Sequence, residues 1–179
     1  MAILEIHTAS DARKLLLALV GLVTSRFPLP YSPIRMRSTP GGLVAFDFTE
    51  GHIEGTIETT AIAPGPGPLL FHAVQIKALA ATLATTDRRP GFDLWSSLVA
   101  VCDPGPEAYF PPVEKVRASM EALPAIPWGC FDLALLGRLK PVLDLTTSIP
   151  PAKLQIRPVK DGLVYNAGSV SGVLMGCRP

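Results

Sequence analysis

An α+β fold, with short antiparallel strands carrying a few helices on one face, is predicted by the balance of breakers and apolar residues in this chain. Nineteen prolines and 15 glycines interrupt it too often for a helical bundle, because a proline inside a helix removes a hydrogen bond and clashes with the preceding turn. Hydrophobic residues still make up 48% and charged residues only 17% of the 179 positions, enough apolar side chain to bury a core.

The elements follow in order. Met1–Thr8 alternates and suits a strand. Ser10 then caps a helix running to about Ser25, with Asp11 at the positive end of its dipole and Leu16, Leu19 and Val23 as its core stripe. Phe27–Pro33 holds three prolines and is extended. Ile34–Ser38, Leu43–Phe48 and Ile53–Ile62 form a meander turned at Pro40-Gly41-Gly42 and at Thr49-Glu50-Gly51-His52.

Ala63–Pro68 is the strongest punctuation in the chain. Beyond it come a strand at Leu69–Val74, an amphipathic helix built on Ile76, Leu79, Ala80 and Leu83, and a strand over Phe92–Val101. Tyr109-Phe110-Pro111-Pro112 opens a linker-like stretch through Val116 to Pro127. Trp128–Phe131 reads as a strand, and Asp132 caps a short helix that Pro141 terminates. Lys153–Pro158 alternates, Lys160-Asp161-Gly162 turns, and Val170–Cys177 is a closing strand. The unit of strand, helix and strands thus recurs about three times, giving one complete domain over residues 1–108 and a linker with a partial domain over 109–179.

Several function classes find no support. A net charge of +1 and a pI near 7.7 supply no global field toward nucleic acid or anionic membranes. The apolar run Leu15–Val23 is too short to cross a bilayer and lacks a cleavage pattern, so a cytoplasmic protein without a membrane partner is expected. Cys102, Cys130 and Cys177 fit a reduced compartment and are expected as small buried hydrophobes. His7, His52 and His72 show no metal-ligand spacing, there is no phosphate loop, and Gly168-Ser169-Val170-Ser171-Gly172 has valine where a nucleophile elbow needs serine. No enzymatic step, metal or cofactor is expected, although a carboxylate and an imidazole in the Thr49-Glu50-Gly51-His52 turn leave a small acid–base enzyme as a third reading.

Basic residues group on the predicted helices: Arg13 and Lys14, then Lys77 with Arg88 and Arg89, then Arg138 and Lys140. On a shared face they would make a sequence-neutral, salt-sensitive surface for duplex phosphates. Taken singly, each is better read as solubilising an exposed helical face, and only recurrence on all three helices favours DNA.

Three stretches, in this order, resemble the bacterial sliding clamp, the beta subunit of DNA polymerase III, in the shortened form of phages and mobile elements. Phe48-Thr49-Glu50-Gly51-His52-Ile53 is similar to that family's Thr-Asp-Gly-His-Arg-Leu turn. Tyr109–Val116 is similar to its Phe/Tyr-Pro-Asp segment, and Leu154–Pro158 with Gly172–Pro179 to its Ile-Arg-Pro strand and Met-Pro-Met-Arg-Leu terminus. Ile53 and Glu54 depart from Arg-Leu in the turn, and Gly176 and Cys177 from Pro-Met at the end. The resemblance implies clamp-like repeats of strand, helix and meander, a clamp loader, and a closed ring; at three helix-bearing units per chain, a ring of twelve helices would take four chains. It also implies a pocket for the peptide motifs of polymerases and other clients, made by Thr49, Gly51, His52, Ile53, Val173, Leu174, Met175 and Arg178. A truncated adaptor or decoy that holds clients without closing a ring is the alternative.

Overall fold

Val44, Phe46 and Phe48 point to one side of their strand and Ala45, Asp47 and Thr49 to the other, yet all six are buried. A strand covered on both faces belongs in the middle of a sheet. The computed structural model describes residues 3–23, 33–60, 68–84, 87, 89–101, 110–127, 133–146 and 154–176. In it β1 (Leu4–Glu5), α1 (Ala9–Val23), β2 (Pro33–Ser38), β3 (Val44–Thr49), β4 (Ile53–Thr60), β5 (Leu69–His72), α2 (Ala73–Thr82) and α3 (Leu94–Val99) are followed by α4 (Val113–Glu121), α5 (Leu133–Thr146), β6 (Gln155–Val159), β7 (Gly162–Ala167) and β8 (Val170–Met175). The eight strands make one sheet in the order β5-β2-β3-β4-β8-β7-β6, antiparallel except where β1 pairs parallel with the overhanging end of β4. Strands on both sides of residue 108 therefore share one sheet.

The central strands are palindromic. Helix α1 precedes the meander β2-β3-β4, α5 precedes β6-β7-β8, and the two meanders join through antiparallel β4 and β8. One row of partners reads Ile34, Phe48, Gly55, Gly172, Tyr165, Ile156 across six strands. Each half turns on a glycine of positive φ, Gly51 at 90° and Gly168 at 69°. Each turn also accepts a matching bond, Met175 N–H to His52 O at 2.8 Å and Glu58 N–H to Ser169 O at 2.8 Å. Two α–βββ units are thus related by a local twofold axis through the glycine pair.

Alternation decides the layers. Ile34, Met36, Phe46, Phe48, Ile53, Ile57, Leu163, Tyr165 and Leu174 meet Leu15, Leu16, Leu19 and Leu22 of α1, Ile76 and Leu79 of α2, and Leu139 and Val142 of α5 in the main core. Helix α1 lies between α2 and α5 in this layer. The opposite face carries α4, seated on Leu70 through Val113 and on Val159 and Val173 through Met120.

The helix count corrects the sequence reading in three places. Phe92–Val101 is not a strand: Asp93 caps α3 by accepting from Ser96 N–H at 2.9 Å, and Leu94, Trp95 and Leu98 bury one helical face. The stretch expected as a linker contains α4, whose Val113 and Met120 are buried and lie two turns apart. Pro141 does not stop α5, because fully buried Leu139 and Val142 hold the helix on both sides of it, offsetting a proline cost of about 3 kcal/mol. At α1 the capping group is Thr8 rather than Ser10: its Oγ1 accepts from Asp11 N–H at 3.1 Å and donates to Asp11 Oδ2 at 2.7 Å. The strand expected at Trp128–Phe131, the cap expected at Asp132 and all three cysteines lie outside the described residues.

Candidate functional site

The Thr49-Glu50-Gly51-His52 turn is closed by Glu50 N–H to Ile53 O at 3.0 Å, with Gly51 supplying the left-handed backbone. Strand β8 runs beside it, since Ile53 pairs with Leu174 and Met175 N–H reaches His52 O. Thr49, Gly51, His52, Ile53, Val173, Leu174 and Met175 are thereby gathered at one end of the sheet, while Arg178 lies outside the described residues. Their side chains divide sharply. Ile53, Val173 and Leu174 are fully buried and Thr49 is buried, so the surface of this corner consists of Gly51 and His52, with Met175 half-buried.

Glu50 and His52 stand in different surroundings, the one buried and the other exposed. Glu50 is 4% exposed and points to α5, where its Oε2 lies 2.9 Å from Arg138 Nη1, an ion pair without hydrogen-bond alignment. His52 is exposed. The ion pair ties the turn to the helix layer, so Glu50→Gln, which strands the Arg138 charge, is expected to lower stability by about 1–3 kcal/mol in urea denaturation.

The helix layer carries the residues expected to meet DNA. Arg13 donates from Nε to Ala80 O at 3.1 Å and so staples α1 to α2. Lys14 lies 3.7 Å from Asp11 and Lys140 2.7 Å from Asp144. Arg89 pairs with Asp87, whose carboxyl it holds down at about 2. Lys77 is exposed on α2, Arg138 serves Glu50, and Arg88 lies outside the described residues. Lys14, Lys77 and Lys140 thus stand on three adjacent helices, two of them beside an internal acid.

A polar cluster on the α4 face is absent from the sequence reading. Asp47 is fully buried and accepts from Arg35 Nε at 2.9 Å, Arg37 Nε at 2.7 Å and Thr56 Oγ1 at 2.7 Å. Arg35 also reaches Glu114 on α4 and lies 4.6 Å from the centre of the Phe110 ring. Its twofold mate, Arg157, donates to Leu123 O at 2.8 Å and Glu121 O at 2.7 Å, satisfying carbonyls at the end of α4. Helix α4 is therefore fastened at both ends by related arginines. The signal was present as the repeated Ile34-Arg35 and Ile156-Arg157, each arginine facing away from the main core.

No protein-family model, curated protein or solved structure matches this chain. Among the described residues no helix is long and apolar enough to cross a membrane, and no group of three or more His, Cys, Asp and Glu side chains is placed to hold a metal ion. What remains is a corner with a small exposed surface, a helix layer with lysines exposed on α1, α2 and α5, and a strapped polar sheet face.

Proposed function

We propose that this protein is a clamp-like processivity factor that surrounds duplex DNA without reading its sequence and docks client peptides at the corner of His52 and Met175. The observation that carries this reading is the twofold pair of α–βββ units with α1, α2 and α5 on one face of the sheet. A protein that holds DNA by enclosure needs few phosphate contacts, and Lys14, Lys77 and Lys140 on the helix layer can supply them. With two such units per chain in place of three, the ring grows from four chains to about six, through a head-to-tail interface that closes.

Retention on DNA tests the proposal. The protein, loaded onto nicked circular DNA, is expected to stay bound in high salt and to leave once the circle is cut; equal loss from circular and linear DNA refutes enclosure. Lys77→Glu is expected to reduce the slope of log affinity against log salt by about 1.

A second reading, an adaptor that engages clients without closing a ring, is favoured by the internal partners of Arg13, Lys14, Arg89, Arg138 and Lys140. A monomeric mass by light scattering with and without DNA, together with retained peptide binding, selects it.

A further inference from the structure

Beneath the N-terminal half of α4 lies a cleft of about 10 Å³, lined by Glu54, Gly55, Thr56, Val113, Glu114, Arg117 and Gly172, the room of about one water molecule. Glu54 extends from β4 into this space, next to the twofold axis, and its Oε1 is buried with no hydrogen-bond partner among the described residues. The neighbouring cation is engaged elsewhere: Arg117 Nη1 donates to Ser171 Oγ at 2.9 Å, and its Nε lies 3.6 Å from Glu121. Glu114 faces the cleft from the same helix, held by Arg35 and 3.7 Å from Arg37. Asp47 of β3 belongs to those two arginines, Glu58 lies further along β4 on the same face, and β8 contributes the neutral Ser171. From the opposite face Tyr165 Oη donates at 3.0 Å to the main-chain oxygen of Glu54 and leaves its carboxyl untouched.

We infer that Glu54 is a pH-sensitive latch for α4: its neutral carboxyl fits under the seated helix, and its ionisation loosens the helix from the sheet. Two features make the stretch of α4 between its apolar seats responsive. The ends are held by apolar seats, Val113 with Leu70 and Phe110, and Met120 with Val159 and Val173. The stretch between them rests on a polar sheet surface whose one unsatisfied acid is Glu54 among the described residues that line the cleft.

The direction follows from linkage. Burial, opposed by Arg117 and assisted by Glu114, raises the Glu54 carboxyl from its ordinary 4.5 to about 7. An acid raised in the seated state stabilises that state most below the free value, and the benefit is lost as pH rises through the seated one. Between pH 6 and pH 8 the opening equilibrium of α4 is expected to grow by up to about tenfold.

Amide hydrogen exchange of the full chain at both pH values, corrected for intrinsic rates, tests this. Opening of Val113–Glu121 should increase severalfold at pH 8, while α1 and β4 stay unchanged, and Glu54→Gln should abolish the increase. The same pH response in Glu54→Gln, no response in the parent, or an equal response in every element overturns the inference. Should the variant fail to fold, ¹³C-carboxyl titration of the parent decides: a Glu54 midpoint near 7 coupled to the Arg117 and Glu114 amides supports the latch, and a midpoint near 4.5 overturns it.

Discussion

Replacing Gly172 with alanine is expected to cost about 3–5 kcal/mol, seen as a large fall in the urea midpoint or as failure to fold. The added Cβ would run into Glu54 O and Tyr165 Oη and come within 2.7 Å of Gly55 Cα. Two of these obstacles are main chain in the central strand pair and cannot turn aside. Gly55→Ala meets a similar wall, with Ser171 O and Tyr165 Oη at 2.5 Å and Phe48 Cζ at 2.9 Å. Gly137 provides the contrast. It is exposed on α5 with nothing within 4 Å of an added Cβ, so Gly137→Ala should stabilise by up to about 1 kcal/mol. Equal behaviour of the Gly172 and Gly137 variants would show that the aromatic packing at the axis is not what requires glycine.

The second large effect is expected at Asp47. This carboxylate has no exposure and holds two guanidinium groups and the Thr56 hydroxyl, the bond that Arg37 donates to Asp47 raising Arg37 above its ordinary range. Asp47→Ala leaves Arg35, itself 9% exposed, without its fully buried counter-charge, a change that costs about 3–5 kcal/mol in buried ion pairs. Asp47→Asn keeps an acceptor for Thr56 and should be milder. Because Arg35 also grips Glu114 and stacks near Phe110, both variants should expose the α4 amides to exchange before those of α1. Loss of protection in all elements together would place the role of Asp47 in the sheet alone.

Much of the strand pattern was legible because it depends on local alternation. Val44, Phe46 and Phe48 announce a strand, and Gly51 announces its turn, without any knowledge of partners. The α–βββ recurrence was visible too, as two units with a helix-bearing segment between them where three had been expected. What stayed hidden depends on contacts distant in sequence. Asp47 looks like the polar side of a surface strand until α4 covers it, and Glu50 looks available for proton transfer until Arg138 on α5 takes it. The apolar residues of α3 and α4 were readable at helical spacing, but the flanking prolines and a β-branched, aromatic composition favoured strand and linker. At the corner, adjacency of the turn and the last strand was implied by the clamp resemblance alone; that Ile53, Val173 and Leu174 would be spent on the interior was not legible, because burial is decided by the layers above and below.

The twofold row through Gly55 and Gly172 has a consequence for how the fold survives dilution. Two α–βββ units meeting across one antiparallel strand pair have the geometry of a small symmetric dimer. As separate chains such halves would associate only as concentration allowed, since the contacts across the midline would have to offset the entropy of association. Here the covalent connection that includes α4 keeps each half at a fixed local concentration of the other. The midline of the sheet is thus held by tethering as well as by packing, and its integrity should be independent of how much protein is present.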